Sequence, residues 1–284
     1  MAILDVSSER YVCELSAEAS APIEVAAGSI LRVQCRSALD REVGPGPHRA
    51  AAANPATGPI AVTGAAPGQA LRVEILGIEC QSPGHVAAGW KGGNQSVPIQ
   101  AGCAIFHGMP VPVAPSIGVI GVAPASGSWS TMDCGPYGGN LDIRDVARGA
   151  RIYLPVFQEG GLLVLGDIHA VMGDGEIGGQ GLEVAGAVTL RVDVEPAPLA
   201  ACPYLYRDDQ LMTVGTAERL EEACRNAAVS MMRLIEKAGL LDEFSAMKFL
   251  GLAGDLRIGQ ACCRTKSARV SVPLSLLPTL RQRP

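Results

Sequence analysis

The sequence predicts a mainly-β protein, a β-sandwich-like body carrying an inserted C-terminal helical hairpin, α+β overall. Three observations carry this expectation. The 34 Gly and 20 Pro among 284 residues interrupt the chain too often for many long helices. Aromatic residues make up only 4% against 48% hydrophobic residues, so the core must be assembled from Val, Ile, Leu and Ala. Apolar and polar residues alternate with period two through several short segments bounded by turn residues, the pattern of strands with one buried face.

Leu31, Val33 and Cys35 alternate with Arg32, Gln34 and Arg36, and Leu71, Val73 and Ile75 with Arg72 and Glu74. The segments ILGIE, IGVIGVA, IYLPVF and LLVLG are more uniformly apolar and suit strands covered on both faces. Val188, Leu190, Val192 and Val194 return to alternation. After Thr213 the period changes: Leu220, Ala223, Ala227, Met231, Leu234 and Ile235 recur at helical spacing. Thr216 is the expected N-cap of this helix and Gly239 its stop, with Met231 and Met232 as core filler. Asp242 is placed to cap a second helix carrying Phe244, Met247, Leu250 and Leu252. The expectation is one domain over residues 1–284, with a β body over about 10–200, a helical hairpin over about 216–253 and a last strand over about 268–276.

Composition excludes several classes of function. The formal net charge is −5, and no cluster of Lys and Arg is interleaved with aromatics, so nucleic acid is not an expected partner. No run of about 18 apolar residues marks a membrane span, and no membrane partner is expected. The N-terminal stretch carries charges where a signal peptide would be apolar. Nine cysteines, odd in number and without a C-x-x-C pair, argue against a zinc ribbon and fit a reduced, cytoplasmic protein with buried thiols.

The segment from Gly166 to Val184, GDIHAVMGDGEIGGQGLEV, concentrates the chemistry. It holds Asp167, His169, Asp174, Glu176 and Glu183 within 19 residues. Residues two apart on a strand share a face, so Asp167 and His169 should point together, and likewise Asp174 and Glu176. Carboxylates with a neutral imidazole suit a divalent metal, and a spare glutamate suits a general base. The competing reading is a solvated acidic turn. Cys134, before a glycine-rich turn, has no evident activating partner and is a weak nucleophile candidate.

Several strings occur together and in order: NPATGPIAV from Asn54, IGVIGVAPA, GGNLDIRD from Gly138, LPVF, the GDIHA…GDGE block, and GDLRIGQ from Gly254. Over about residues 20–275 the chain thereby resembles the acetamidase/formamidase family, most closely its shorter bacterial acetamidases. The resemblance implies a mainly-β sandwich with added helices, metal ions at the site, and hydrolysis of small amides to ammonia and an acid. Matched onto this sequence, it points to Asp142, Asp167, His169 and Glu183 for metal, Glu176 and Asp174 for catalysis, and Asn140 and Tyr137 for substrate. The implied cofactor is a divalent metal, zinc first, with calcium at a second site; the implied partner is a small amide. A homodimer is expected because small residues on the first helix permit close contact.

The chain departs from the family pattern at Tyr137, where relatives commonly carry His. It departs again in the segment containing Asp40 and His48, and between Ser82 and Gln100. Two alternatives therefore stand beside a formamide- or acetamide-like substrate. One is a non-catalytic, metal-stabilised sandwich that binds a small molecule. The other is an amidase of the same family with a different substrate.

Overall fold

The computed structural model describes residues 2–19, 22–39, 53–87 and 93–281; Asp40 and His48 lie outside these. In chain order, the strands used below are β1 (Ile3–Val6), β2 (Ile30–Cys35), β3 (Ala56–Thr63), β4 (Ala70–Cys80), β5 (Ser116–Gly121) and β6 (Gly138–Asn140). They continue with β7 (Arg151–Pro155), β8 (Leu163–His169), β9 (Glu183–Val184), β10 (Gly186–Glu195), β11 (Tyr204–Arg207) and β12 (Gln210–Ala217). Helices α1 (Leu220–Lys237) and α2 (Glu243–Ala253) follow, then β13 (Asp255–Ile258) and β14 (Lys266–Pro273).

Among the described residues the larger strands form two main sheets. One has nine strands in the order β1-β2-β10-β4-β7-β11-β12-β14-β13. The other has ten and is centred on β8, which pairs antiparallel with β5, β3 and β9. One apolar cluster draws on both, joining Leu31, Val33 and Leu190 of the first sheet to Ile60, Val119 and Leu165 of the second. The architecture is mainly β with a few helices, as the composition predicts.

The alternation of side chains explains why the first sheet is covered on both faces at one end. Leu205, Met212 and Val214 join the inter-sheet core, whereas Tyr204, Tyr206 and Leu211 join a second cluster under α1. Of the apolar segments expected to be covered on both sides, β5 and β8 are buried throughout. The ILGIE segment of β4 is not: Ile75 is buried, but Ile78 is half-buried and Glu79 exposed.

The helical hairpin is present, with corrections at its edges. Thr216 is the penultimate residue of β12, opposite Ser267, and the N-cap of α1 is Arg219, without a side-chain cap bond. Glu221 and Glu222 occupy the first turn, where the helix dipole favours negative charge. Asp242 does cap α2, accepting from the backbone N–H of Ser245 at 3.0 Å. The hairpin precedes the last two strands, not one. The last strand ends at Pro273, and Leu274–Leu276 form a 3-10 turn.

The buried face of α1 is Ala223, Ala227, Met231, Met232, Leu234 and Ile235, with Leu220 only half-buried. Its small residues let α1 lie directly on β12, where Thr213 Oγ1 donates to the carbonyl of Ala227 at 2.8 Å. Leu234 is fully buried, so Leu234→Ala is expected to destabilise the fold by about 2–5 kcal/mol. A thermal or denaturant unfolding curve checks this, and Leu220→Asp is expected to cost less. Among the described residues no helix is long and apolar enough to cross a membrane.

Candidate functional site

Five ionisable side chains converge at the centre of the second sheet: Asp142, Asp167, His169, Glu176 and Glu183. His169 ends β8 and lies directly opposite Glu183 in the ladder to β9, which puts both side chains on one face. The imidazole Nε2 is 3.1 Å from Glu183 Oε1, 3.7 Å from Asp167 Oδ1 and 3.8 Å from Glu176 Oε1. The donor atoms of Asp142, Asp167 and His169 lie within 4.8 Å of one another, as do those of His169, Glu176 and Glu183.

Simple alternation does not account for all of this convergence. Asp167 has φ +58° within β8, and the paired residues skip from Gly166 to Ile168 at that point. Asp142 lies past the end of β6, not on it, with φ +46°. Glu176 has φ +46° in the loop after β8, so Asp174 and Glu176 do not share a strand face. Three left-handed non-glycine residues in one cluster cost about 1–3 kcal/mol each and concentrate where side chains must be aimed.

Two glycines make room. A Cβ at Gly118 would stand 2.5 Å from Asp167 Oδ2, 2.6 Å from Asp142 Oδ1 and 2.8 Å from His169 Cε1. A Cβ at Gly181 would stand 2.8 Å from His169 Cδ2 on the ring.

The electrostatics are unusual for a protein interior. Exposure is 6% for Glu176 and at most 2% for the other four. Among the described residues no Lys or Arg forms an ion pair with any of the four carboxylates. Burial pushes Asp142 well up, reinforced by Glu176 and Asp167. Burial likewise pushes Glu183 up to about 8 and raises Glu176, with His169 opposing both. Burial pulls His169 down, but Glu183 and Asp167 outweigh it and hold the imidazole well above its ordinary value. Asp142 Oδ1, Asp167 Oδ1, His169 Nδ1 and Glu183 Oε2 are buried with no hydrogen-bond partner. Oxygen and imidazole donors left unpaired around a negative cavity fit a divalent cation, which would offset charge that the chain alone offsets only by retaining protons.

The remaining expected residues lie elsewhere. Asp174 does not join the cluster: its carboxylate takes both bonds from Arg269 Nη2, at 2.9 and 3.2 Å. Arg269 is itself buried and also pairs with Asp145, tying the Glu176 loop to β14. Asn140 Nδ2 donates to Asp142 Oδ2 at 2.7 Å, and its Oδ1 accepts from Asn54 at 3.0 Å. Tyr137 is buried with its ring stacked on Trp129, centroids 6.2 Å apart, and burial raises its hydroxyl pKa. Among the described residues Tyr137 makes no hydrogen bond to the cluster. Cys134 is buried, its thiol pushed up to about 12 by burial, which disfavours the thiolate a nucleophile needs.

Sequence reasoning missed three contributors. Asn54 Nδ2 donates to Asp167 Oδ2 at 2.8 Å, holding that carboxylate. Cys262 Sγ lies 3.1 Å from Glu176 Oε2, and Cys263 stands beside it. All nine cysteines are free, but only Cys35 and Cys134 are buried and Cys262 is exposed. The cluster meets the surface at Glu176, which lines an open cavity of about 530 Å³ with Ile177, Leu256, Ile258 and Cys262.

The sequence profile of the Acetamidase/Formamidase family matches residues 125–202. The fold superposes on a "predicted acetamidase/formamidase" from Thermoanaerobacter tengcongensis with a TM-score of 0.91 and 35% identity, covering 99% of each chain. It superposes on an acetamidase from Bacillus halodurans with a TM-score of 0.89 and 33% identity, covering 98% of this chain and 99% of that one. Among curated proteins, an acetamidase of Mycolicibacterium smegmatis is 48% identical over 58 residues, which is 20% of this chain and only 14% of that relative. Full-length likeness in fold together with identity above 30% places the chain in the acetamidase/formamidase family.

Proposed function

We propose that the chain hydrolyses the C–N bond of a small linear amide, formamide- or acetamide-like, releasing ammonia. In this reading Asp142, Asp167, His169 and Glu183 hold a divalent cation, zinc by preference given one imidazole among carboxylates. The observation that carries it is the set of four unpartnered buried donor atoms, one on each of these residues, gathered beside Glu176. Every such donor group among the described residues contains His or Cys, so no separate oxygen-only calcium site is proposed.

A cation held there would supply Lewis acidity toward the amide carbonyl and toward the attacking water. The chain's own residues do the rest. Glu176 takes a proton from the water as the C–O bond forms, and returns it to the nitrogen as the C–N bond breaks. Burial raises its pKa, the direction that favours a carboxylate able to accept and then release a proton. Asn54 and Asn140 fix the carboxylates of Asp167 and Asp142, so Asn140 acts as a positioning residue in preference to a substrate ligand. Asp174 acts through Arg269 to hold the Glu176 loop. Tyr137 stacks on Trp129 away from the cavity lining, so it is not proposed as a substrate ligand.

Ammonia release across a panel from formamide and acetamide to longer aliphatic amides tests this. Turnover of the smallest amides supports the reading; no turnover of any amide would leave the non-catalytic alternative. The apolar rim of Ile177, Leu256 and Ile258 favours a longer acyl chain as the second reading.

A homodimer remains part of the proposal, but on a different face from the one first expected. The small residues of α1 are already packed within the chain. Phe244, Met247 and Leu252 of α2 are between 61% and 88% exposed, and are the proposed contact with a second copy. A monomeric mass by light scattering would contradict this.

A further inference from the structure

Adjacent residues of an extended chain point to opposite sides, so neighbouring cysteines seldom present their sulfurs together. At Cys262 and Cys263 the chain bends, and the two Sγ atoms lie 3.9 Å apart. Other groups set that bend. Gln260 Oε1 accepts from the Cys263 backbone N–H at 3.1 Å, and Gln260 Nε2 donates to the Thr265 carbonyl at 2.6 Å. Lys266 Nζ donates to the carbonyls of Cys263 and Arg264. Cys262 Sγ also donates to Gln260 Oε1 at 3.8 Å and Cys263 Sγ accepts from Asn140 Nδ2 at 3.5 Å, so the thiols add to a bend whose backbone Gln260 and Lys266 already hold.

The third member is Glu176. Its Oε2 faces Cys262 Sγ at 3.1 Å while its Oε1 faces His169. The carboxylate oxygen and both sulfurs lie within 4.8 Å of one another, and Glu176 and Cys262 line the open cavity.

We propose that Cys262, Cys263 and Glu176 form a second metal site, distinct in chemistry from the inner cluster and selective for a soft, thiophilic cation. The inner cluster offers one imidazole and carboxylate oxygens. The outer group offers two sulfurs, which favour ions such as Cd²⁺ or Cu⁺ over harder ones. Loading forms two S–metal bonds and releases one proton from each thiol to solvent; no electron is transferred. Because Glu176 is shared, a cation on the outer site draws its carboxylate off its proton-transfer duty. The binding site stands on its own geometry, whereas this inhibition rests on the proposed amidase reading.

The test is titration of the full-length protein with Cd²⁺, following thiolate-to-cadmium charge-transfer absorption, bound cadmium and ammonia release. The comparison is the Cys262→Ser/Cys263→Ser double variant, which keeps the Gln260 and Lys266 bonds to the backbone of the bend. The wild type is expected to bind one more cadmium than the double variant, with a charge-transfer band that the variant lacks. Because Cys262 touches Glu176, inhibition is read for each protein against its own cadmium-free ammonia release. The variant's half-inhibitory Cd²⁺ concentration should rise by about 10–100-fold or more, since loss of even an outer partner costs a metal site that much. A band of equal size in both proteins, or none in either, would overturn the site. A cysteine-dependent band in a protein inactive on every amide would keep the site and remove the amidase reading instead.

Discussion

His169→Ala is expected to lose bound metal and ammonia release together, the activity falling to background. His169 supplies the imidazole shared by both donor groups of the inner cluster, and its Nε2 lies within 4 Å of three carboxylates. Removing it takes the imidazole donor from the site and leaves Asp142 and Glu183, both already pushed up by burial, without the group that opposes that rise. Elemental analysis and ammonia release are to be measured on the same preparation. If His169 served only to fill space beneath Gly181, metal content and turnover would both survive.

Glu176→Gln is expected to separate the two readouts. The amide keeps the shape of the side chain and an acceptor toward Cys262, but it no longer takes up a proton. Bound metal should stay near the wild-type level while ammonia release falls by about 10²–10⁴-fold, the usual contribution of general acid–base catalysis. Normal turnover in this variant would move the proton transfer to another group. Glu183 is then the next candidate, because Asp174 is engaged by Arg269.

How legible these features are in the sequence follows from how local their causes are. Period two located the strands around Leu31, Leu71 and Val188, because a sheet with one wet face forces that alternation. His169 was visible in the same way at the end of β8, while Asp167 was marked by the same D-x-H string although its φ of +58° breaks the alternation. Alternation failed where φ is positive. Asp142 and Glu176 reach the cluster from loops, and Asp174 turns away to an arginine 95 positions distant.

Asn54 and Cys262 could not have been placed by spacing. Asn54 lies 113 residues from Asp167, and Cys262 lies 86 from Glu176. Sheet order brings them together. The signal for Asn54 was present in the NPATGP string, which carried the family resemblance without revealing a role. The paired cysteines were counted with the other thiols, and nothing local marked them as neighbours of a carboxylate. The shift of the helix start from Thr216 to Arg219 has a tertiary cause: β14 extends its pairing along β12 to Ala217.

The central claim is that the buried carboxylate–imidazole cluster holds a divalent cation on which amide hydrolysis depends. Its most direct test is ammonia release from protein stripped by a chelator, verified by elemental analysis, and then resupplied with zinc. Activity is expected to fall to background in the stripped protein and to return as zinc is restored. Full ammonia release from protein shown to be free of metal would contradict it.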